Sequence, residues 1–245
     1  MTGLPRVLVL ETPEELAQAV ADAFVADAAD AIAARGAFFV ALAGGTTPRA
    51  AYALLAQEPR ASKVDWAHVL VYFSDERCVP PGDEQSNYHM AAQALLERVP
   101  LPERNVHRMR GEIEAVQAAR EYAALLTETM GDRPRFDLLM LGMGTDGHTA
   151  SLFPGSDPLA EDDRLVRAPY VEKMGGHRIT FTPRVINNAR HVLIATEGLT
   201  KAPALYAVLR GPFEPQVHPI QIVAPSDGQL TWMVDRAAAA ELAPN

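Results

Sequence analysis

An aspartate and a histidine two residues apart, Asp146 and His148, are the side chains in this sequence best suited to proton transfer. They lie in a glycine-rich segment, Gly142–Gly155, that directly follows an apolar run. Histidine titrates near neutral pH, so it can accept a proton from water. A histidine held only by backbone groups is the alternative. A zinc site is disfavoured because no third nitrogen or sulfur ligand occurs at a recognisable spacing. We therefore predict that His148 acts on a proton.

Charged side chains also follow a second apolar run, where the sequence reads Ser-Asp-Glu-Arg over residues 74–77. The guanidinium of Arg77 can bind an anion through two parallel hydrogen bonds, and Asp75 can orient or polarise a reacting group. The alternative is a surface ion-pair cluster, which stabilises a protein little. Two carboxylates and a guanidinium at the end of a buried strand favour a functional role.

A glycine-rich loop, Gly44-Gly45-Thr46-Thr47-Pro48, follows a third apolar run and leads into a predicted helix. Glycines allow the backbone to approach an anion closely, and the first turn of a helix offers free N–H groups. The loop has no Gly-Lys-Thr, so it is not a Walker loop. The sequence favours a phosphate-binding loop about as much as a plain tight turn with Thr47 as the N-cap.

Two further cations, Arg178 and Lys201, occur near glycines. Arg178 follows Gly175 and Gly176, and Lys201 stands at a predicted helix start after Gly198. A lysine in the first turn opposes the helix dipole, which is unfavourable unless an anion binds there. Each of these cations alone is best interpreted as a solvated side chain. Together with the Gly44-Gly45 loop and Arg77, they predict an anion site.

Five runs rich in apolar residues predict β-strands, and the segments between them have the period of helices. Runs that are apolar throughout are typical of strands buried on both faces. The pattern predicts an α/β fold with an open, mostly parallel sheet and helices on both faces. Ligands bind at the carboxyl ends of such strands, where the polar groups described above occur. The predicted strands are Arg6–Leu10, Ala37–Leu42, His68–Phe73, Phe136–Leu141 and His191–Ala195.

Three helix starts are indicated by capping residues. Thr12 is a predicted N-cap before Pro13, opening a helix that runs to about Arg35. Thr47 is predicted to begin a second helix in the same way, with Pro48 in its first turn. Ser86 is interpreted as the N-cap of a third helix that ends near Arg98.

Composition limits the classes of function. The 245 residues are 48% apolar and 22% charged, which excludes collagen, coiled coil and wholesale disorder. Twenty-two Lys and Arg against 31 Asp and Glu give a net charge of −9. Such a surface repels phosphate backbones, so neither nucleic acid nor an anionic membrane is expected as a partner. A small anion can bind only where cations are gathered locally.

The single cysteine, Cys78, forbids an intrachain disulfide and suits a reducing compartment. The apolar run Val7–Leu10 is too short for a signal peptide, and Gly36–Pro48 is too short to span a bilayer. We therefore expect a cytoplasmic protein.

Taken in order, these motifs resemble those of the 6-phosphogluconolactonase and glucosamine-6-phosphate isomerase/deaminase family. The resemblance covers nearly the whole chain. The DGHTASLFPG stretch within residues 146–155 is highly specific, and the other motifs are moderately so. The matching stretches are GGTTP (44–48), SDER-x-VP (74–80), SNY (86–88), GMGTDGHTASLFPG (142–155), RITFT (178–182) and the segment from Gly198 to Ala202.

The resemblance implies one Rossmann-like α/β domain over residues 1–245 that hydrolyses a small-molecule sugar-phosphate lactone, 6-phosphoglucono-δ-lactone, with no cofactor and no metal. It implies that His148 is the general base that activates water, and that Asp75 or Asp146 orients it or the substrate. The oligomeric state is not fixed by the sequence, although a monomer is favoured. The resemblance assigns phosphate binding to Gly44, Gly45, Thr46, Arg77, Arg178 and Lys201.

Two alternatives are weighed against this interpretation. The deaminases of the family carry an aromatic residue where this chain has Arg77, and an acidic residue after the Asp-Gly-His loop, where this chain continues with Ser151–Pro154. The lactonase is therefore favoured over the deaminase. A non-catalytic domain that senses sugar phosphates for a transcription regulator is disfavoured, because the chain has no basic helix and a net charge of −9.

Overall fold

The computed structural model of the chain describes residues 6–156, 159 and 163–242. Strands and helices alternate along most of this part of the chain. The strands are β1 (Arg6–Leu10), β2 (Phe38–Leu42), β3 (Val69–Phe73), β4 (Asp75–Arg77), β5 (Leu138–Leu141), β6 (Val166–Arg167), β7 (Tyr170–Val171), β8 (Gly176–Phe181), β9 (His191–Thr196) and β10 (Gln229–Asp235). The α-helices are α1 (Pro13–Arg35), α2 (Thr46–Leu55), α3 (Asn87–Ala91), α4 (Ala115–Met130), α5 (Pro183–Ile186) and α6 (Ala202–Arg210).

A six-stranded parallel sheet with the order β1-β10-β9-β5-β2-β3 forms the centre of the fold. Strand β2 lies between β3 and β5, so that Val40 is paired with Val71 on one side and with Leu138 on the other. The chain passes from β2 outward to β3 and later returns to β5 on the opposite side of β2. A ligand crevice opens at the carboxyl edge of a parallel sheet where the strand order reverses in this way.

Both faces of the sheet are covered by apolar side chains, apart from the edge strand β1, which is largely exposed. Val40 and Met140 belong to a core on one face, which is completed by α1, α2 and α3. Their neighbours Ala41 and Leu139 belong to the core on the other face, which is completed by α4, α5 and α6. Successive strand residues point to opposite faces, so strands covered on both sides must be apolar at every position. This requirement explains the continuous apolar runs in the sequence.

A small antiparallel sheet joins the carboxyl edge of the central sheet. Its order is β4-β8-β6, and β7 also pairs with β8. Ser74 connects the two sheets, because its N–H donates to Leu42 O at 2.9 Å and its carbonyl oxygen accepts from Phe181 N at 2.9 Å. The pairing of β4 with β8 places Arg77 directly opposite Arg178.

The predicted α/β fold with a mostly parallel sheet is confirmed, and the five predicted strands lie within two residues of the observed ones. The N-cap roles of Thr12 and Ser86 are also confirmed. The prediction for Thr47 is wrong. The helix begins at Thr46, and its N-cap is Gly45, whose φ of 110° a residue with a side chain rarely adopts.

The third predicted helix is shorter than expected, because α3 ends at Ala91 and a π-helical turn then runs to Leu96. Strand β10 and the small antiparallel sheet were not predicted. None of the helices in the described ranges combines the length and the hydropathy that a membrane-spanning segment needs.

The opposite, amino-terminal edge of the sheet is held by the carboxylate of Asp137, which is nearly fully buried. It lies 2.9 Å from Arg35 Nε and 3.3 Å from Arg190 Nε, and it accepts the N–H of Phe39 at 2.9 Å. One carboxylate thereby ties together the segments that precede β2, β5 and β9.

Asp137→Ala is expected to lower the free energy of unfolding by about 2–3 kcal/mol, because it leaves a backbone N–H and two arginines without their acceptor. Urea denaturation measures the change. Asp22→Ala is the control, since Asp22 pairs with Arg60 on an exposed helix surface and should change stability by less than about 1 kcal/mol. Equal changes in the two variants would contradict the role of Asp137.

Candidate active site

A cavity of about 200 Å³ opens at the carboxyl edge of the central sheet, beside β2 and β5. The loops after β2, β3 and β5 and the turn after β9 contribute to its wall, as does α3. The lining residues are Ala43, Gly44, Gly45, Ser74, Asp75, Arg77, Asn87, Gly142, Met143, Gly144, His148, Ala150 and Lys201. The structure thus brings together six of the residues singled out in the sequence: Gly44, Gly45, Asp75, Arg77, His148 and Lys201.

The histidine of the glycine-rich loop is fixed from two sides. Its Nδ1 lies 2.6 Å from Asp146 Oδ1, and its ring stacks on Phe153 with 4.3 Å between ring centroids. Because Nδ1 is engaged by Asp146, Nε2 is the ring nitrogen left available to the cavity. Asp146 itself stands behind His148 and does not line the cavity. Of the two aspartates considered in the sequence, Asp146 is therefore the one that contacts His148.

Glycine is required beside the histidine ring. A Cβ atom added at Gly144 would lie only 2.0 Å from His148 Nδ1 and 2.7 Å from Asp146 Oδ1. The N–H of Gly144 also donates to the carbonyl oxygen of His148 at 2.8 Å. The loop is therefore folded so tightly that the His148 ring packs directly against the backbone of Gly144.

The carboxylate of Asp146 is ionised at neutral pH. Partial burial alone would raise its pKa, but hydrogen bonds from His148 and from Lys173 Nζ outweigh burial and hold the pKa well below its usual range. An ionised Asp146 favours the tautomer of His148 that carries its proton on Nδ1. That tautomer leaves Nε2 as a proton acceptor.

Asp75 faces the cavity on the other side. Its Oδ2 accepts from Ser151 Oγ at 2.7 Å, and its Oδ1 accepts from Asn87 Nδ2 at 3.1 Å. Both partners are buried, so the carboxylate has a fixed orientation. Asn87 and Ser151 were not predicted as site residues, although each lies within a motif of the family. The sequence does not reveal these two contacts of Asp75, because they form only when β4, α3 and the loop after β5 come together in the folded chain.

Glu76 organises this wall of the cavity without lining it. Its buried carboxylate accepts from the N–H groups of Arg77, Asn87 and Tyr88 at 2.7–2.8 Å and from Ser86 Oγ at 3.0 Å. Burial raises the pKa of Glu76, although the three backbone N–H groups oppose the shift. The Ser-Asp-Glu-Arg and Ser-Asn-Tyr motifs are therefore held together by one side chain.

Three cations lie at or near the cavity. Lys201 is the N-cap of α6, and partial burial lowers its pKa, an effect that the charge of Asp146 opposes. Arg178 is half-buried opposite Arg77, and burial, followed by the charge of Arg77, lowers its pKa. Arg77 lines the cavity, where its Nη1 donates to the carbonyl oxygen of Gln85.

Two residues assigned to the anion site stand apart from the cavity wall. Thr46 lies in the first turn of α2 and lines a neighbouring open cleft of about 680 Å³, with its hydroxyl 3.5 Å from Glu197 Oε1. Arg178 lies beside its cross-strand partner Arg77 and is not among the residues of the wall. No group of three or more His, Cys, Asp or Glu side chains suited to a metal ion occurs in the ranges that the structure describes.

A parallel α/β sheet with an Asp–His pair and several cations at the point where the strand order reverses is typical of an α/β enzyme. The chain belongs to the family of glucosamine-6-phosphate isomerases/6-phosphogluconolactonase, which matches residues 11–232. This membership confirms the resemblance noted in the sequence.

Three similar proteins carry the second of the two family names. A "6-phosphogluconolactonase" of Synechocystis sp. is 38% identical over 219 residues, which cover 87% of this chain and 88% of the relative. A "6-phosphogluconolactonase" of Nostoc sp. is 37% identical over 86% of this chain and 88% of its own length. The solved structure "6-phosphogluconolactonase from Trypanosoma cruzi" is 29% identical, with a TM-score of 0.88 over 100% of this chain and 99% of that one.

Removal of the Glu76 carboxylate is expected to loosen the wall formed by α3. In Glu76→Ala, the amides of Asn87 and Tyr88 lose a charged acceptor, so their hydrogen exchange should become about 10–100-fold faster. Glu76→Gln keeps one acceptor oxygen and should show a smaller change. Glu84→Ala removes an exposed carboxylate nearby and should leave both amides unchanged. Unaltered exchange in Glu76→Ala would contradict this account.

Proposed function

We propose that the chain hydrolyses 6-phosphoglucono-1,5-lactone to 6-phosphogluconate, the lactonase step of the oxidative pentose phosphate pathway. The observation that carries the proposal is the 2.6 Å contact of His148 Nδ1 with Asp146, which leaves Nε2 available at a cavity that Arg77 and Lys201 also line. The family and the names of the similar proteins support the same activity.

His148 is the general base. A water molecule beside Nε2 attacks C1 of the lactone while Nε2 takes one of its protons, and Asp146 stabilises the imidazolium that forms. The tetrahedral intermediate then breaks its bond from C1 to the ring oxygen, which takes the proton back from Nε2. The new carboxylic acid ionises and releases one proton to solvent. An activated ester needs positioning and a base rather than a protein nucleophile.

The phosphate is held at the cationic side of the cavity. A phosphate monoester carries nearly two negative charges, and the chain carries nine net negative charges, so binding requires positive charge gathered locally. Arg77 and Lys201 supply it at the wall, Arg178 adds charge from its place beside Arg77, and the Gly44–Thr46 loop adds the N–H groups at the start of α2. Lys201 lies on a turn fixed by Asp235, which accepts the N–H of Gly198 at 2.9 Å.

Asp75 orients the sugar. Its two oxygens already accept hydrogen bonds from Ser151 and Asn87, so the carboxylate presents a fixed edge to the cavity. A fixed carboxylate is suited to accept a hydrogen bond from a substrate hydroxyl and to set the distance between C1 and the water at His148.

Aminosugar-phosphate deamination is the alternative within the family. That chemistry moves protons between substrate carbons and needs a carboxylate base after the Asp-Gly-His loop. This chain has Ser151 there instead of a carboxylate, and the Ser151 hydroxyl donates a hydrogen bond to Asp75. Arg77 stands where the deaminases have an aromatic residue. Release of ammonia from glucosamine 6-phosphate by the purified chain would favour the alternative. A non-catalytic sensing domain would bind the lactone without releasing protons.

We propose that the enzyme acts in the cytoplasm, which the single cysteine, Cys78, supports, and that it acts as a monomer.

His148→Ala should reduce kcat by about 10²–10⁴-fold, the usual contribution of a positioned base. The KM for the lactone should change little, because His148 acts on water. Proton release in a pH-stat, corrected for spontaneous hydrolysis, measures both constants. His68→Ala removes an exposed histidine paired with Asp65 and should retain full activity. A His148→Ala enzyme with near wild-type kcat would refute the assignment.

Lys201→Ala tests the phosphate site. A charge-assisted hydrogen bond contributes roughly 1.5–3 kcal/mol, so kcat/KM for the phosphorylated lactone should fall by about 10–150-fold. The unphosphorylated lactone should be a poor substrate for both enzymes and nearly insensitive to the substitution. If Lys201→Ala slowed both lactones equally, Lys201 would act at the reacting end of the site instead.

A further inference from the structure

Asp146 uses both of its carboxylate oxygens. Oδ1 contacts His148, whereas Oδ2 accepts from Lys173 Nζ at 2.9 Å. We infer that Lys173 is a positioning residue, whose ammonium fixes the Asp146 carboxylate in the orientation that holds His148 for catalysis. The inference rests on the proposed role of His148 as the general base and adds a residue from a distant segment to that machinery.

Lys173 comes from the tip of a hairpin in the small antiparallel sheet. It lies in the short helical turn Glu172–Met174 between β7 and β8, and the turn ends at Gly175 with a φ of 63°. The pairing of Tyr170 with His177 fixes the base of the hairpin. The contact with Asp146 therefore joins this hairpin to the loop after β5, 27 residues earlier in the chain.

The side chain of Lys173 is 65% exposed, so it contributes little to the packed core. An ion pair this exposed stabilises the fold by at most about 1 kcal/mol. Its partner differs from an ordinary surface carboxylate, because Asp146 is only 24% exposed and already contacts the histidine. We therefore expect loss of the contact to change kcat more than the free energy of unfolding.

Lysine is rare in this chain, which makes the position notable. The sequence contains only Lys63, Lys173 and Lys201 among its 22 Lys and Arg residues. Lys201 lines the cavity and Lys173 contacts Asp146, whereas Lys63 lies exposed in a short turn after α2. Lys63 is consequently a matched control with the same side chain and no contact with the site.

Loss of the ammonium should change how the base is held. The Asp146 carboxylate becomes free to leave His148, which lowers the fraction of enzyme with a correctly held base. We therefore expect the loss in kcat rather than in KM.

The test compares the full-length wild-type enzyme with Lys173→Met, Lys173→Arg and Lys63→Met across pH 6–8.5 in the pH-stat. For Lys173→Met we expect the plateau kcat to fall by about 5–20-fold, less than the ~10²–10⁴-fold contribution of a positioned base, because His148 itself remains. The KM should stay within about twofold, because Lys173 acts on Asp146 rather than on the substrate. Lys173→Arg should recover most of the activity, and Lys63→Met should match the wild type.

A double-variant cycle separates this inference from the proposed function. In a His148→Ala background, Lys173→Met should cause no further loss, because Lys173 acts through Asp146 on the histidine. If His148→Ala is impaired but Lys173→Met matches Lys63→Met, the role of Lys173 is refuted and the base stands. A Lys173→Met enzyme with raised KM and unchanged kcat would also refute it, since Lys173 would then contact substrate. Near wild-type kcat in His148→Ala would refute the proposed function itself.

Discussion

The reversal of strand order between β2 and β5 is the constraint on which the candidate site depends. Because β3 and β5 lie on opposite sides of β2, the loops that follow β2 and β5 leave a crevice at the carboxyl edge of the sheet. The loop after β2 supplies glycines and a helix start, and the loop after β5 supplies the histidine. Ser74 then leads the chain from β3 into the small sheet, so Asp75 and Arg77 reach the same crevice.

The carboxylates at this edge are held by hydrogen bonds from other groups of the protein. The buried carboxylate of Glu76 is satisfied by three backbone N–H groups and a hydroxyl, and Asp75 by Ser151 and Asn87. A buried carboxylate without such partners would destabilise the fold, so these hydrogen bonds both allow the charges and fix their directions. Cations then offset the negative charge that the remainder of the protein would impose on an anionic substrate.

Much of the fold follows from local sequence signals, whereas part of the site does not. Continuous apolar runs such as Leu138–Leu141 identify buried parallel strands, and the Asp-Gly-His loop indicates the candidate pair Asp146 and His148. The antiparallel sheet is formed by strands of two to six residues whose pairing is long-range, so no local period reveals it. For the same reason, the partners of Asp75 and the contact of Lys173 with Asp146 require the folded chain. The N-cap of α2 is Gly45 rather than the predicted Thr47. The prediction failed because Thr47-Pro48 has the same residue types as the true helix start at Thr12-Pro13.

In the proposed reaction, water held by His148 attacks the lactone directly, with no covalent link between the sugar acid and the protein. A single turnover in H₂¹⁸O, with enzyme in excess over lactone and a correction for spontaneous hydrolysis, tests it most directly. Direct attack predicts one ¹⁸O atom in the carboxylate of each product molecule and no label in the protein. Unlabelled product together with ¹⁸O in the side chain of Asp75 would show that Asp75 attacks C1 as a nucleophile, which would contradict the account.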